Sequence, residues 1–109
     1  MNRIYKIYIA GKITGLSNYQ DKFNRAERML AALGHKVMNP SILPDTFPWE
    51  AYMPICYAMI DACDSIYLLD NWKDSKGARL EHEYAIKKGK VIIFEERLPT
   101  GMTRRLKFD

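Results

Sequence analysis

Stretches with the two-residue period of a strand alternate with stretches of helical period along this 109-residue chain. That alternation restricts the possible folds more than any single motif does. "RIYKIYIAG" (3–11) is rich in Ile and Tyr, ends at glycine and reads as a strand, with "GKITG" as the loop after it. Ser17 with Gln20 three residues on is the pattern of a capping box, and Tyr19, Phe23, Ala26, Leu30 and Leu33 then recur at helical spacing until Gly34 closes the helix. "HKVMNP" (35–40) is a second short strand, and "SILPDTFP" (41–48) is a loop with breaker residues. From Trp49 to Cys63 a helical face of Tyr52, Cys56, Met59 and Cys63 returns, with Pro54 as the point where the helix kinks or effectively begins. "DSIYLLD" (64–70) is a third strand, "SKGARLEHEYAIKKG" (75–89) a third helix and "KVIIFEE" (90–96) a fourth strand, while the tail 97–109 holds a turn or a short edge element.

The order β-α-β-α-β-α-β with short connections implies a parallel sheet covered on both faces. Right-handed crossovers make it a small doubly wound α/β fold of flavodoxin/Rossmann-like type, with four to five strands and helices on both faces. In such folds a ligand sits outside the carboxyl ends of the strands. Loops 11–16, 39–48 and 71–77 are therefore expected to converge on one edge. No repeat or linker interrupts the chain, so residues 1–109 are read as one domain.

Bulk properties narrow the function classes. No apolar run approaches the roughly 20 residues needed to cross a bilayer, and "MNRIYKIYIAGKITG" has no cleavage site of the secretory kind. Cys56 and Cys63, on one helix, stand roughly 10 Å apart, too far for a disulfide. They read as two buried thiols of a reducing cytoplasm. The net charge is +4, and "RRLK" at 104–107 reads as a solvated tail rather than a nucleic-acid patch, because no basic stripe interleaved with aromatics runs through the chain. A modest positive field still favours small anionic ligands such as nucleotides.

The third helix carries the sharpest question. At about 100° per residue, Ala78, Glu81 and Ala85 share one face, and Arg79, Glu83 and Lys87 share another. The second set is an opposite-charge ladder suited to a solvated face. Glu81 lies instead among small apolar residues on the face that meets the sheet, close to the expected ligand edge. A carboxyl there is unfavourable unless it is paired or opens into a pocket, which makes it a candidate nucleophile or general base. The alternative is a glutamate at the edge of the buried face reaching water. Ser75 and Gly77 at the helix start offer a hydroxyl and free N–H groups to an anion, or Ser75 is an ordinary N-cap. Gly11 and Gly15 allow close approach to the backbone after the first strand. Tyr8, near the strand end, lines the pocket or simply packs, and Ile13 is read as lining it. Asp70 is read as facing the site and Asp64 as punctuating a turn, while Trp49 and Trp72 are candidates to cover a base or ribose, with core packing the expected role of at least one. His35 and His82 are isolated, and no metal or cofactor is implied.

Taken together, "IYIAGKITG" (7–15), "NP" (39–40), "ACDSIYLL" (62–69) and "SKGARLEHEYAIKKGK" (75–90) resemble the nucleoside 2-deoxyribosyltransferase superfamily. Within it they resemble a short phage and bacterial branch named for an uncharacterised domain (DUF4406). The resemblance covers roughly residues 4 to 95 and includes a Gly, a Glu four residues on and an Ala four beyond, here Gly77, Glu81 and Ala85. It implies that Glu81 attacks the anomeric carbon of a (deoxy)ribose, displaces the base and forms a glycosyl ester that water or another base resolves. The same chemistry operates in retaining glycosidases. It further implies that Ser75 and Gly77 hold a 5′-hydroxyl or 5′-phosphate, that Tyr8 and Gly11 shape the sugar pocket, and that the chain forms homo-oligomers. Two positions depart from the pattern. Cys56 stands eight residues before Asp64, where the superfamily usually has an Asp that helps position the nucleophile and protonate the base. Glu83 replaces a frequent Gly.

The function expected from the sequence is therefore an N-glycosidic-bond enzyme acting on a nucleoside or nucleotide, with no membrane or nucleic-acid polymer as partner. Its catalytic residues are Glu81 and Tyr8, and its substrate-binding residues are Gly11, Ile13, Ser75, Gly77, Trp72 and Asp70. The alternative is a non-catalytic nucleotide-binding module on the same scaffold, which Cys56 favours.

Overall fold

The computed structural model describes residues 3–97 and 104–109. A five-stranded sheet runs through it in the order β2-β1-β3-β4-β5, built from β1 (Lys6–Ala10), β2 (Lys36–Met38), β3 (Ser65–Leu68), β4 (Val91–Arg97) and β5 (Arg104–Phe108). The first four strands pair in parallel. β5 lies antiparallel on the edge, with Ile93 opposite Phe108 and Arg97 opposite Arg104. The doubly wound reading holds, with an antiparallel edge strand added. The "RRLK" stretch is therefore part of a strand and not a solvated tail. Its backbone completes the β4 ladder, where unpaired groups would otherwise be left on a long edge. The rest of the tail, 98–103, lies outside the described residues.

The faces of the sheet are divided by strand alternation. Ile7, Ile9, Tyr67, Leu69 and Ile93 pack against Phe23, Ala26 and Leu30 of α1 (Tyr19–Ala32). Tyr8, Ala10, Ile66 and Leu68 point the other way, onto Cys56 and Ile60 of α2 (Trp49–Asp61) and Ala78 and Ala85 of α3 (Lys76–Lys87). α1 thus covers one face and α2 with α3 the other. The change of side falls between β1 and β3, where the chain after β1 and the chain after β3 leave in different directions and open a crevice. Asp64 helps set that register. Its Oδ1 accepts from the Lys6 N–H at 3.0 Å and from the Ser65 hydroxyl at 3.1 Å, so it is a structural joint at the start of β3.

Several local expectations are corrected. α1 has no capping box: its N-cap is Asn18, without a side-chain cap bond. A turn from Ile13 to Leu16, with Gly15 at φ +79°, takes up the chain before Ser17 reaches the helix. Gln20 reaches across to the Ser41 carbonyl instead. Leu33 is not on the buried face but is the C-cap, 56% exposed, just before Gly34 turns the chain at φ +96°. Pro54 neither starts nor ends α2, which runs through it from Trp49. An interior proline costs about 3 kcal/mol in an isolated helix. Here the burial of Cys56 and Ile60 on the sheet offsets that penalty. The ladder on α3 does not form either. No ion pair joins Arg79, Glu83 and Lys87, and Arg79 donates to the Lys73 carbonyl at 2.6 Å. An exposed ion pair is worth so little that a short charge-assisted bond to the backbone prevails. Among the described residues no helix is long and apolar enough to cross a membrane.

Candidate active site

The loops after β1 and β2 and the start of α3 converge above the strand ends around a cavity of about 1020 Å³. That volume suits a ligand of nucleotide size. Two polar clamps hold the walls together. Lys12 N–H donates to Asn71 Oδ1 at 3.1 Å, tying the loop after β1 to the chain after β3. Asn39 is only 5% exposed. Its Nδ2 donates to Asn24 and Glu27 of α1, at 3.0 and 2.8 Å, and its Oδ1 accepts from the Ser41 N–H. The loop that begins at Pro40 is thereby fixed to α1 before it crosses the cavity.

Glu81 sits on the cavity wall and is 6% exposed. Its Oε2 accepts the Tyr8 hydroxyl at 2.8 Å, and the Cys56 thiol is within hydrogen-bonding reach. Burial pushes the carboxyl up to about 7, against the opposing pull of the Tyr8 and Cys56 hydrogen bonds. Desolvation is the dominant influence because no cation offsets it. The partners are shifted as well. Burial, with Glu81 beside it, pushes the Cys56 thiol up to about 12. Burial and the same carboxyl hold Tyr8 well above the ordinary phenol range. Tyr8 therefore stays a hydrogen-bond donor throughout the neutral range, and Glu81 alternates between acid and carboxylate near pH 7.

The start of α3 forms another part of the wall. Ser75 is the N-cap, and its hydroxyl oxygen accepts the Ala78 N–H at 3.1 Å. The hydroxyl proton is left available to a ligand. A Cβ placed on Gly77 would meet Met53 Sδ at 3.6 Å and Ser75 Oγ at 3.9 Å, both ordinary contacts. Packing therefore does not require glycine at this helical position, although glycine lowers helix stability there. Gly11 is different: a Cβ would stand 2.6 Å from Leu69 Cδ1, so the close approach of β1 to the chain after β3 excludes a side chain.

Of the residues singled out from the sequence, the fold brings Tyr8, Gly11, Ile13, Gly15, Trp49, Cys56, Ser75, Gly77 and Glu81 to this cavity. Asp70 and Trp72 lie elsewhere. Asp70 pairs with Lys22 at 2.7 Å, and its N–H donates to Glu95. Trp72 packs on His82 and Phe94, with ring centroids 4.6 and 6.1 Å away. Trp72 opens the 3₁₀ turn Trp72–Asp74, a turn that period-two reasoning does not anticipate. His35 accepts from the Tyr5 N–H. Among the described residues no group of three His, Cys, Asp or Glu side chains could hold a metal ion. The mouth is lined by Tyr19, Asp45, Phe47, Trp49 and Tyr52. Phe47 and Tyr52 meet edge to face at 6.1 Å, and the Tyr52 hydroxyl accepts from the Phe47 N–H and donates to the Pro44 carbonyl. Sequence reasoning assigned Tyr19 and Tyr52 to core faces and left Phe47 in a loop. The density of rings and prolines across 44–52 was the available signal.

A buried acid with a phenol donor, placed in the crevice of a 2-1-3-4-5 sheet, defines a class of small doubly wound α/β domains with a cavity at the switch in strand order. Within that class the chain belongs to the family described as Domain of unknown function (DUF4406), which matches residues 5–94. The fold is similar to that of a 2-desoxiribosyltransferase from Leishmania mexicana, with a TM-score of 0.63 and 19% identity over 92% of this chain and 77% of that one. No curated protein matches the sequence.

Proposed function

We propose that the protein cleaves or exchanges an N-glycosidic bond of a nucleoside or nucleotide, with Glu81 as the nucleophile at the anomeric carbon. The observation that carries this reading is the Glu81 carboxyl itself. It is buried in the wall of a nucleotide-sized cavity, held by Tyr8 at 2.8 Å, and no cation lies near enough to offset its burial. Burial makes its ionised form a poorly solvated and hence reactive nucleophile, and the Tyr8 bond fixes the direction of attack. The hydroxyl of Ser75 and the free N–H groups at Lys76 and Gly77 suit the 5′ end of the sugar, whether hydroxyl or phosphate. Gly11 and Ile13 wall the sugar from the β1 side. The fold similarity to a deoxyribosyltransferase supports the same chemistry class. Self-association also belongs to the proposal. α2 presents Ile55, 45% exposed, on its outer side, and light scattering would read the assembly.

The test is incubation of the purified protein with nucleosides and their 5′-monophosphates, with and without a free acceptor base, and Glu81→Ala as control. Base release that disappears in the variant supports the enzyme, and the acceptor lanes separate transferase from hydrolase. A second reading, a nucleotide-binding module without catalysis, is favoured by Cys56, which puts a weak acid beside Glu81. Nucleotide binding by thermal shift with no base release would select it.

A further inference from the structure

A neutral purine or pyrimidine leaves a sugar as an anion unless something protonates it, and a positioned acid is worth about 10²–10⁴-fold. The groups that reach Glu81 are Tyr8 and Cys56. Both hold their protons too tightly to give them up: the thiol is pushed up to about 12, and the phenol lies well above its usual range. No histidine lines the cavity. His35 is engaged by the Tyr5 N–H and His82 by Trp72. The carboxyl groups on the rim besides Glu81 are Asp45 and Asp74, both exposed. Asp45 lies near enough to Tyr19 that it and Tyr52 add to the burial that raises the Tyr19 phenol. The cavity thus combines the Glu81 carboxyl, neighbours that hold their protons too tightly to act as acids, and a lining in which the Asp45 carboxyl accompanies Tyr19, Phe47 and Tyr52, with Lys12 and Lys76 at other points of the wall. Ring faces with an acidic group among them attract a flat cation.

Resting on the reading of Glu81 as nucleophile, we propose that the substrates are N-glycosides whose base is already cationic, namely pyridinium nucleosides or ring-methylated purine nucleosides, and that the base leaves neutral without an acid from the protein. A Glu81 carboxylate oxygen forms a bond to C1′. The C1′–N bond breaks, and its electron pair moves to the ring nitrogen and cancels the positive charge. Water then hydrolyses the ester, giving the free sugar and the Glu81 carboxylate, and one proton passes to solvent. Charge and atoms balance with no further reactant. In the ground state the cationic ring sits against Tyr19 and Tyr52 with Asp45 alongside, and the attraction weakens once the base is neutral, which favours release.

The experiment compares kcat/KM for nicotinamide riboside and 7-methylguanosine with that for guanosine and uridine, in ribo and 2′-deoxy forms, with and without 5′-phosphate, after subtraction of the Glu81→Ala rate. The expected result is a preference for the cationic substrates of about 100-fold or more. Cys56→Asp is expected to narrow that preference by accelerating guanosine cleavage alone; should that variant not fold, the wild-type ratio decides. Cleavage of guanosine within about tenfold of 7-methylguanosine would overturn the inference and leave the Glu81 mechanism standing. Cleavage of none of the panel, cationic members included, would overturn both.

Discussion

The Tyr8 hydroxyl donates to Glu81 Oε2 at 2.8 Å across 73 residues of chain, and both partners are buried. β1 supplies one partner and α3 the other, so the bond exists only when α3 lies on the face of the sheet that carries Tyr8. Its chemical effect is to oppose the burial that pushes Glu81 up to about 7. In the proposed reaction it is the ionised form of Glu81 that attacks. Base release is therefore expected to rise with pH through about 7 and then level off, because Tyr8 and Cys56 remain protonated well beyond that range. Initial rates across pH check this, and a rate that is already maximal near pH 5 would sink it.

The same carboxyl links pH to stability. Its folded pKa of about 7 lies above the ordinary value of 4.5, so the native state binds the proton more tightly than the unfolded chain does. The associated stability is fully present below about 4.5, is lost as pH rises through about 7, and amounts to something on the order of 3 kcal/mol. Glu81→Gln removes this dependence. The variant is expected to match the wild type near pH 4.5 and exceed it at pH 8, while its activity is abolished. Urea melts at the two pH values decide, and a variant less stable at both would mean that Glu81 is structural.

Tyr8→Phe tests the bond from the other side. Losing the phenol leaves Glu81 buried with a weaker set of donors, at a stability cost of about 1–3 kcal/mol. It also moves the carboxyl further up, so the rising limb of the pH–rate profile shifts to more alkaline pH. A packing role alone would lower stability without moving that limb.

How much of this was legible beforehand depended on range. Local period placed β1, α1, α2, β3, α3 and β4, because each element shows its own alternation of apolar residues. Glu81 stood out for the same reason, as an acid on an apolar stripe between Ala78 and Ala85. What failed depended on contacts distant in sequence or on turn geometry. Gln20 reads as a capping residue until Ser41 is seen across from it. Asp70 and Trp72 read as site residues until Asp70 is seen paired with Lys22 and Trp72, at the start of a 3₁₀ turn, packed on His82. Asn39 read only as the end of the second strand and half of the "NP" pair, yet it ties the loop that begins at Pro40 to α1 through Asn24 and Glu27.

Gly11→Ala sets a limit on the scaffold. Its new methyl would stand 2.6 Å from Leu69 Cδ1 and 3.0 Å from Leu69 Cβ. Leu69 is fully buried, and its N–H donates to the Ala10 carbonyl, so it cannot withdraw without disturbing the β1–β3 join. The expected loss is about 1–3 kcal/mol from overpacking, read as a lower urea midpoint with an unchanged slope. Wild-type stability in this variant would mean that the join yields.

Gly77→Ala should separate fold from function. A methyl there meets only Met53 and Ser75 at ordinary distance, and φ is not in the left-handed region. Alanine restricts the unfolded chain and favours the helix, so stability is expected to increase by up to about 1 kcal/mol. The same methyl projects where the start of α3 meets the cavity and would crowd a 5′-hydroxyl or phosphate approaching the Lys76 and Gly77 N–H groups. Nucleotide affinity should fall as the melting temperature rises. Thermal melts with and without a nucleoside 5′-monophosphate measure both effects on one sample. A variant that is stabilised and still binds as well as the wild type would remove the start of α3 from the ligand site, and with it the reason for a glycine at this position.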